Sequence, residues 1–436
     1  SSSILGGGTI IYFLATIFDV QIVKMQKNIN LYLRWYLSVL FIFSLIFLNE
    51  KHNVGNDSTI AEWLINYAGG FTKRGIIGQI TIYFSNSFNL NLRDSILTFQ
   101  ILILLIYFFS IYFFLKDVKL NKILILSIFT PIFILYPVAE IEVLARKELF
   151  IFCFYLLYLI IKNPTPRFIY KIFILPLLIL IWEPVIFFFP FWLAVDIVKL
   201  RIKKININFI NIIISFFPAL ILGFYIAFNP LSPDAHLEMT KYLKNNFNEN
   251  CYTACAMLIS VSSISDQFNS VLSSYSAVVF FRYFLIIVIG FGPLIILLKY
   301  SYIKKNDLFL FKYFKNLLIP LIIILLPVPL LFAMATDWGR WVNISYFFSF
   351  SFYFYLLKEN IIKISDEIIK NNFVSLLNNK NYFIIIFIIF SFGWNPKTQI
   401  TGDVGSKPIY QIPRKAIKIL YRNFKNTNVS YYKKIF

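Results

Sequence analysis

An acid and an arginine stand three positions apart in the stretch TDWGRW, residues 336–341. The stretch follows the apolar run 317–335 and precedes the apolar run 342–357. A charged side chain at the depth of hydrocarbon costs about 2.5–3.5 kcal/mol on insertion scales. Tryptophans are common at a membrane interface, but the two charges between them need another reason. We therefore expect Asp337 and Arg340 to form a functional site, with a salt-bridged interfacial turn as the alternative.

A glycine-rich stretch, GGFTKRGIIG over residues 69–78, contains the neighbouring cations Lys73 and Arg74. They precede a short amphipathic segment, 76–90, that we expect to lie along the membrane surface as a helix. Glycines permit close approach of the backbone, and the free N–H groups at the start of a helix favour an anion. The pair is predicted to bind the phosphate of a lipid headgroup. Nonspecific attraction to anionic lipid is the alternative.

Two further charged positions stand between apolar segments. Arg146 and Lys147 belong to the sequence EIEVLARKE, residues 140–148, in which Glu142 and Arg146 have the spacing of a helical ion pair. They form either a second cationic clamp or a self-neutralised helix cap. Glu183 precedes a proline between two half-length apolar segments, where a charge usually faces a cavity or a partner.

Composition indicates the class of protein. Of the 436 residues, 59% are hydrophobic and only 14% are charged, whereas about a quarter of a soluble domain is charged. Repeated apolar runs predict an all-α, polytopic integral membrane protein with about 10–11 transmembrane helices. The net charge of +20 fits cation-rich cytoplasmic loops, so we expect no nucleic acid as partner. We also expect no cofactor, since the sequence has no nucleotide-binding motif; a divalent cation is the alternative, although no motif supports one.

The expected spans lie at 31–48, 95–115, 123–139, 149–161, 172–182, 184–198, 209–228, 277–298, 317–335, 342–358 and 382–394. Several of them are too short to cross ~30 Å of hydrocarbon at about 1.5 Å per residue. Short spans must be tilted, broken or buried in a bundle, and the many prolines favour broken helices.

The loops divide into a cation-rich set and a cation-poor set, and the cation-rich set is predicted to be cytoplasmic. The outer face then carries two large loops, 49–94 and 229–276. Residues 31–394 form a single transmembrane domain. Residues 1–30 form an N-terminal segment in which Met25 looks like the natural start. Residues 395–436 form a basic tail, which either lies along the membrane surface or argues against the last span.

Cys251 and Cys255 lie in the second outer loop, four positions apart. They are expected to form a disulfide if this loop faces an oxidising compartment. A zinc site there needs further ligands, and His236 is the one nearby candidate. Cys153 lies in an apolar segment and is most simply a small core residue.

The chain resembles the GT-C glycosyltransferase superfamily in three respects. Its first outer loop has an acid and two amphipathic pieces, 60–68 and 76–88, its spans are half-length and broken, and its outer loops are rich in cations. The pattern also resembles the Wzy-type O-antigen and capsule polymerases. The motifs concerned are GGFTKRGIIG (69–78), ARKE (145–148) and DWGRW (337–341), with Trp182-Glu183 where such proteins often have His-Glu. The likeness is architectural over most of residues 31–394.

The resemblance implies a glycosyltransferase or polymerase that acts on polyprenyl-phosphate- or diphosphate-linked sugars at the outer face of a bacterial inner membrane. The implied pathway is surface polysaccharide assembly. Expected partners are the lipid-linked sugars, membrane lipids and other polysaccharide-assembly proteins. One alternative is a GT-C transferase that adds a single sugar from a polyprenyl-phosphate donor. Another is a flippase for lipid-linked oligosaccharides, which is not an enzyme.

The resemblance also implies roles for charged residues. Cations hold the lipid phosphate and offset leaving-group charge, and a carboxylate accepts the proton of the acceptor hydroxyl. The expected phosphate ligands are Lys73, Arg74, Arg146, Lys147 and Arg340. The expected base is Asp57, with Glu183 and Asp337 as alternatives.

Overall fold

The computed structural model describes residues 25–53, 58–116, 118, 120–203, 209–256, 258–259, 268–269, 271–304, 314, 316–400 and 404–435. Helices dominate these residues, which confirms the all-α class. Five segments among them are long and apolar enough to cross a membrane: Asn30–His52, Leu92–Leu115, Pro164–Ile181, Ile210–Phe228 and Ala277–Lys299. Glu148–Ile160 and Lys380–Phe392 are shorter apolar helices. The chain is therefore a polytopic membrane protein.

The helices of the first half are α1 (Met25–His52), α2 (Ser58–Leu64), α3 (Gly75–Phe88), α4 (Leu92–Leu115), α5 (Lys122–Ile128), α6 (Tyr136–Ala139), α7 (Glu148–Ile160), α8 (Pro164–Ile181), α9 (Phe189–Lys203), α10 (Phe209–Ile214) and α11 (Phe217–Phe228). Turns of 3₁₀ helix cover Ile141–Val143 and Glu183–Phe188. Asn91 and Asn121 cap the first free N–H groups of α4 and α5 with their side chains.

The helices of the second half are α12 (Pro233–Phe247), α13 (Tyr252–Ala256), α14 (Ala277–Lys299), α15 (Leu318–Leu325), α16 (Pro329–Met334), α17 (Trp338–Lys358), α18 (Asn372–Leu377), α19 (Lys380–Phe392) and α20 (Pro408–Ile435), with a 3₁₀ turn at Asp366–Lys370. Two short antiparallel pairs complete the described structure. Strand β1 (Ser301–Ile303) pairs with β2 (Ile362–Ile364), and β3 (Trp394–Asn395) pairs with β4 (Gly405–Ser406).

Several expected spans are broken helices. The segment 123–139 is helical only to Ile128 and resumes at Tyr136. The segment 317–335 is interrupted between Leu325 and Pro329. Prolines lie at each interruption, where a missing N–H and a ring clash end the helix.

The helix α17 is the centre of the bundle. Its side chains are buried along almost its whole length, so it is surrounded by protein. Phe347 stacks on Phe152 with ring centroids 3.9 Å apart, and Phe348 stacks on Phe188 at 4.7 Å. This helix begins at the TDWGRW stretch, so the buried core of the protein fixes the position of Arg340.

The opposite end of the bundle has a buried polar cluster. Asp196 of α9 pairs with Arg167 and Lys171 of α8 and accepts a hydrogen bond from the Tyr158 hydroxyl of α7. Lys199 donates to two backbone carbonyls at the end of α7, over distances of 2.7 and 2.8 Å. The cluster joins three helices at one level.

This cluster corrects one expectation from the sequence. The expected spans 149–161 and 172–182 make residues 162–171 a loop between them. Instead, α8 begins at Pro164 and is 18 residues long, so Arg167 and Lys171 lie inside the helix and are buried. A carboxylate on a neighbouring helix makes this burial tolerable, and such a partner is not visible in the local sequence.

Candidate functional site

The short helix α2 brings Glu62 into the protein interior, where this residue is 3% exposed. The indole N–H of Trp63 donates to the carbonyl of Ala145 at 3.0 Å. On the other side, the sulfur of Cys251 lies 3.4 Å from the carbonyl oxygen of Ala61, and Cys251 is bonded to Cys255. The helix is therefore held from two sides, and the expected disulfide is present.

The glycine-rich stretch places Arg74 by close packing. A Cβ atom on Gly78 would lie 2.0 Å from the carbonyl oxygen of Ile65, and one on Gly75 would lie 2.3 Å from the ring of Tyr67. Arg74 itself has φ 61°, a left-handed conformation that is uncommon for a residue with a side chain. These glycines let α3 pack directly on the loop that follows α2. Arg74 directly precedes the first turn of α3.

Replacing Gly78 by alanine will displace α3 and lower stability by about 1–3 kcal/mol, because backbone atoms rather than flexible side-chain ends occupy the space. Thermal unfolding of the purified protein in detergent measures the effect. Gly292→Ala is the matched control, because a Cβ there meets nothing within 4 Å. Equal melting temperatures for the two variants would contradict this packing role.

The segment before α7 contributes Arg146 and Lys147. Ala145 has φ 54° and is fully buried, so the residue before Arg146 is also held in the left-handed region. The ammonium of Lys147 donates to the backbone carbonyl of Arg74 at 2.6 Å. Backbone strain of this kind costs on the order of 1–3 kcal/mol and clusters at functional sites.

Three arginines converge on one oxygen of Glu62. The guanidinium of Arg74 lies 3.8 Å from Glu62 Oε1, and that of Arg340 lies 4.0 Å from it. Arg146 forms a two-point ion pair with both carboxylate oxygens, its Nε at 3.1 Å from Oε2. The three sequence motifs therefore meet at Glu62.

Further carboxylates surround the arginines. Glu183 accepts two hydrogen bonds of 2.7 Å from Arg74 and lies 4.0 Å from Lys73. Arg340 pairs with Asp337 at 2.6 Å and also contacts Glu148 at the start of α7. We call this set the arginine cluster; its members are Glu62, Lys73, Arg74, Arg146, Lys147, Glu148, Glu183, Asp337 and Arg340.

Charge within the arginine cluster is close to balanced, since its four carboxylates face five cations. Burial alone raises the pKa of Glu62, but Arg146, Arg340 and Arg74 outweigh it and hold the pKa below its usual range. Burial lowers the pKa of Lys147 to about 7, which the charge of Glu62 partly offsets. With all nine groups ionised the cluster carries one net positive charge, and loss of the Lys147 proton would make it neutral.

Hydrogen-bond donors remain unsatisfied in and beside the arginine cluster. Arg340 Nε and the indole nitrogens of Trp182 and Trp341 are buried, and none has a hydrogen-bond partner in the described part of the chain. The two indole rings lie 5.9 Å apart, and the guanidinium of Arg340 lies 5.4 Å from the ring of Trp341. Buried donors normally have partners, so a cluster of them marks a place for an acceptor.

All five cations and two of the three carboxylates expected from the sequence lie in the arginine cluster. Asp57 lies outside the described residues. Glu183 is bound by Arg74, and burial raises the pKa of Asp337 despite the arginines nearby. Glu62 and Glu148 were not among the expected site residues. Their signal was an acid inside a short apolar helix and an acid directly after two cations.

In the described part of the chain, no group of three His, Cys, Asp or Glu side chains is placed to hold a metal ion. In comparisons with known proteins, no family model, curated protein or solved structure matches this chain. The chemistry of the arginine cluster therefore has to be argued from its own geometry.

Proposed function

We propose that the protein is an integral-membrane glycosyltransferase or polymerase that acts on sugars linked to polyprenyl phosphate or diphosphate. The observation that carries the proposal is the convergence of Arg74, Arg146 and Arg340 beside buried N–H donors that lack acceptors. Guanidinium groups match phosphate oxygens with two parallel hydrogen bonds. A membrane-embedded site of this kind suits a phosphate that is attached to a lipid.

The residues of the arginine cluster supply the two functions that glycosyl transfer needs. The arginines bind the phosphate and stabilise the charge that develops on it as the bond to the anomeric carbon breaks. Glu62 accepts the proton of the acceptor hydroxyl, whose oxygen forms the new bond to that carbon. The products are an extended glycan and a free polyprenyl phosphate or diphosphate.

A buried, ionised carboxylate becomes a useful base when its cationic partners turn away from it. In the free protein the arginines hold the pKa of Glu62 low, which makes Glu62 a weak proton acceptor. A substrate phosphate competes for Arg74, Arg146 and Arg340, and each guanidinium that turns to the phosphate removes a cause of that low pKa. Substrate binding therefore raises the basicity of Glu62 where it is needed.

Two observations support an outer location of the arginine cluster. Its helix α2 packs against the Cys251–Cys255 disulfide, and disulfides persist in oxidising compartments such as the bacterial periplasm. The distribution of Lys and Arg among the loops favours the same orientation. We place the protein in a bacterial inner membrane with the cluster facing outward, in surface polysaccharide assembly.

Packing below the arginine cluster favours an enzyme over a flippase for lipid-linked oligosaccharides. Between this cluster and Asp196 at the other end, the core is filled by stacked aromatic rings, including Phe152, Phe347 and Phe348. A flippase needs a path for a polar headgroup through this region. The arginine cluster and the Asp196 cluster lie at the two ends of the bundle, outside this aromatic region.

Cells that lack the gene test the proposal on a glycan gel. A ladder that collapses to core plus one repeat identifies a polymerase. A ladder that persists with lighter repeats identifies a transferase that adds a single sugar from a polyprenyl-phosphate donor. An unchanged ladder, with normal amounts of every lipid-linked intermediate, contradicts both.

A further inference from the structure

A cavity of about 400 Å³ lies apart from the arginine cluster, between the end of α1, the segment around α6 and the C-terminal helix α20. Its apolar wall is formed by Phe47, Val138, Ala139, Ile141, Val404, Pro408 and Ile412. Its polar lining is formed by Asn395, Lys397, Gln411 and Lys415. The volume falls within the usual range of about 300–1,000 Å³ for ligand sites.

The charges of this cavity favour an anion. Lys397 pairs with Glu140 over 3.0 Å, and Glu140 is buried. Lys415, one of the lining residues, has no carboxylate within ion-pair distance in the described part of the chain. The amide side chains of Asn395 and Gln411 line the same space and can donate hydrogen bonds to an oxyanion.

The surroundings favour an anion that has a lipid tail. Phe47 belongs to Asn30–His52, one of the five candidate spans, so one side of the cavity is formed by the last turns of a candidate transmembrane helix. Beyond the cavity, α20 carries exposed apolar side chains; Ile417 is 65% exposed and Tyr421 is 69% exposed. Arg422 ties α20 to Glu50 of α1. An apolar surface thus extends from the cavity along α20, as in helices that lie in a membrane interface.

We infer that this cavity binds the phosphate headgroup of a membrane amphiphile, with Lys415 and Lys397 as its cationic ligands. The apolar wall of Phe47, Val138 and Ile412 receives the first part of the tail. The source of the phosphate is either an ordinary phospholipid or a polyprenyl phosphate. This site is separate from the arginine cluster, so it does not depend on the proposed transfer reaction.

The cavity and the arginine cluster share their supporting backbone. Glu140 precedes Arg146 in one connecting segment, and the backbone N–H of Gly339 donates to the carbonyl of Thr398 at 3.1 Å. A Cβ on Gly339 would lie 1.9 Å from the carbonyl oxygen of Lys397. The segment that carries Lys397 therefore packs directly on the start of α17.

Photolabelling tests the inference. The whole protein is placed in phosphatidylcholine nanodiscs that contain a little phosphatidic acid with a diazirine in its acyl chain near the headgroup. After irradiation, mass spectrometry should find the label concentrated on residues 138–141 and 404–412. In Lys397→Ala/Lys415→Ala that labelling should fall at least tenfold, whereas Lys418→Ala, an exposed lysine of the same helix outside the cavity, should label normally.

Lys415→Ala alone guards against misfolding, because it leaves the pair of Lys397 with Glu140 intact; its labelling should also fall severalfold. Competition identifies the source of the phosphate. Displacement by polyprenyl phosphate at lower concentration than phosphatidylglycerol indicates a lipid-linked intermediate, and equal displacement indicates an ordinary phospholipid. Labelling that is unchanged in the double variant, or that inorganic phosphate displaces as well as either lipid, overturns the inference.

Discussion

Glu62→Gln will lower the rate of glycosyl transfer by about 10²–10⁴-fold, the contribution expected of a general base. Glutamine has nearly the same shape as glutamate and can still accept hydrogen bonds from Arg146, but it cannot take a proton. The initial rate of sugar transfer by purified protein measures the effect at saturating donor. Because a general base acts in the chemical step and not in substrate binding, the loss of rate should fall on kcat rather than on KM.

Glu142→Gln is the matched control for this result. Glu142 lies in the connecting segment before Arg146, but it is exposed and no ion pair to it is seen among the described residues. It should transfer sugar at the normal rate. Removing the charge of Glu62 leaves the arginines less compensated, which lowers stability. Thermal unfolding of both variants therefore separates an effect on catalysis from an effect on folding. A folded Glu62→Gln protein with a rate within tenfold of the wild type would remove Glu62 from the mechanism.

Arg340→Ala will have two large effects. It removes a ligand of the phosphate, for which we expect a loss of transfer of about 10²–10³-fold. It also leaves Glu148 and Asp337 without their cation in a buried place, which costs about 3–5 kcal/mol of stability. Transfer assays and thermal unfolding of the same preparation measure both effects.

A second variant separates the two effects of Arg340. In Arg340→Ala/Glu148→Gln, the buried carboxylate at 148 is neutral, so part of the lost stability should return. Transfer should stay low, because the phosphate ligand is still missing. Arg414→Ala is the control for general loss of positive charge, since Arg414 is exposed on α20. Recovery of transfer together with stability would make Arg340 a purely structural residue.

The cations of the arginine cluster were easier to single out from the sequence than its carboxylates. Arg74, Arg146 and Arg340 each stand in a short polar stretch between apolar segments, where the cost of a charge near hydrocarbon makes them visible. Glu62 stands in the apolar helix STIAEWL, and its importance comes from three arginines distant in sequence. The one local signal of Glu62 is an acid among apolar residues, and the arginines that contact it leave no pattern in this helix.

The transmembrane segments were also only partly predictable from the sequence. Long apolar runs such as those of α4 and α14 are spans at nearly the expected residues. The start of α8 was misplaced because Arg167 and Lys171 looked like loop cations, and their partner Asp196 lies on another helix. The burial of α17 was also not predictable from its hydrophobicity, since a span that faces lipid has the same composition.

Transfer by the purified protein tests the central claim most directly. The protein is reconstituted in liposomes with a polyprenyl-phosphate- or diphosphate-linked sugar, labelled in the sugar, and a lipid-linked acceptor. We expect the label to move to the acceptor while free polyprenyl phosphate or diphosphate appears in equal amount, and Glu62→Gln to show neither. A labelled sugar that crosses the bilayer while still joined to its lipid, with no bond broken, would contradict the account and identify a transporter.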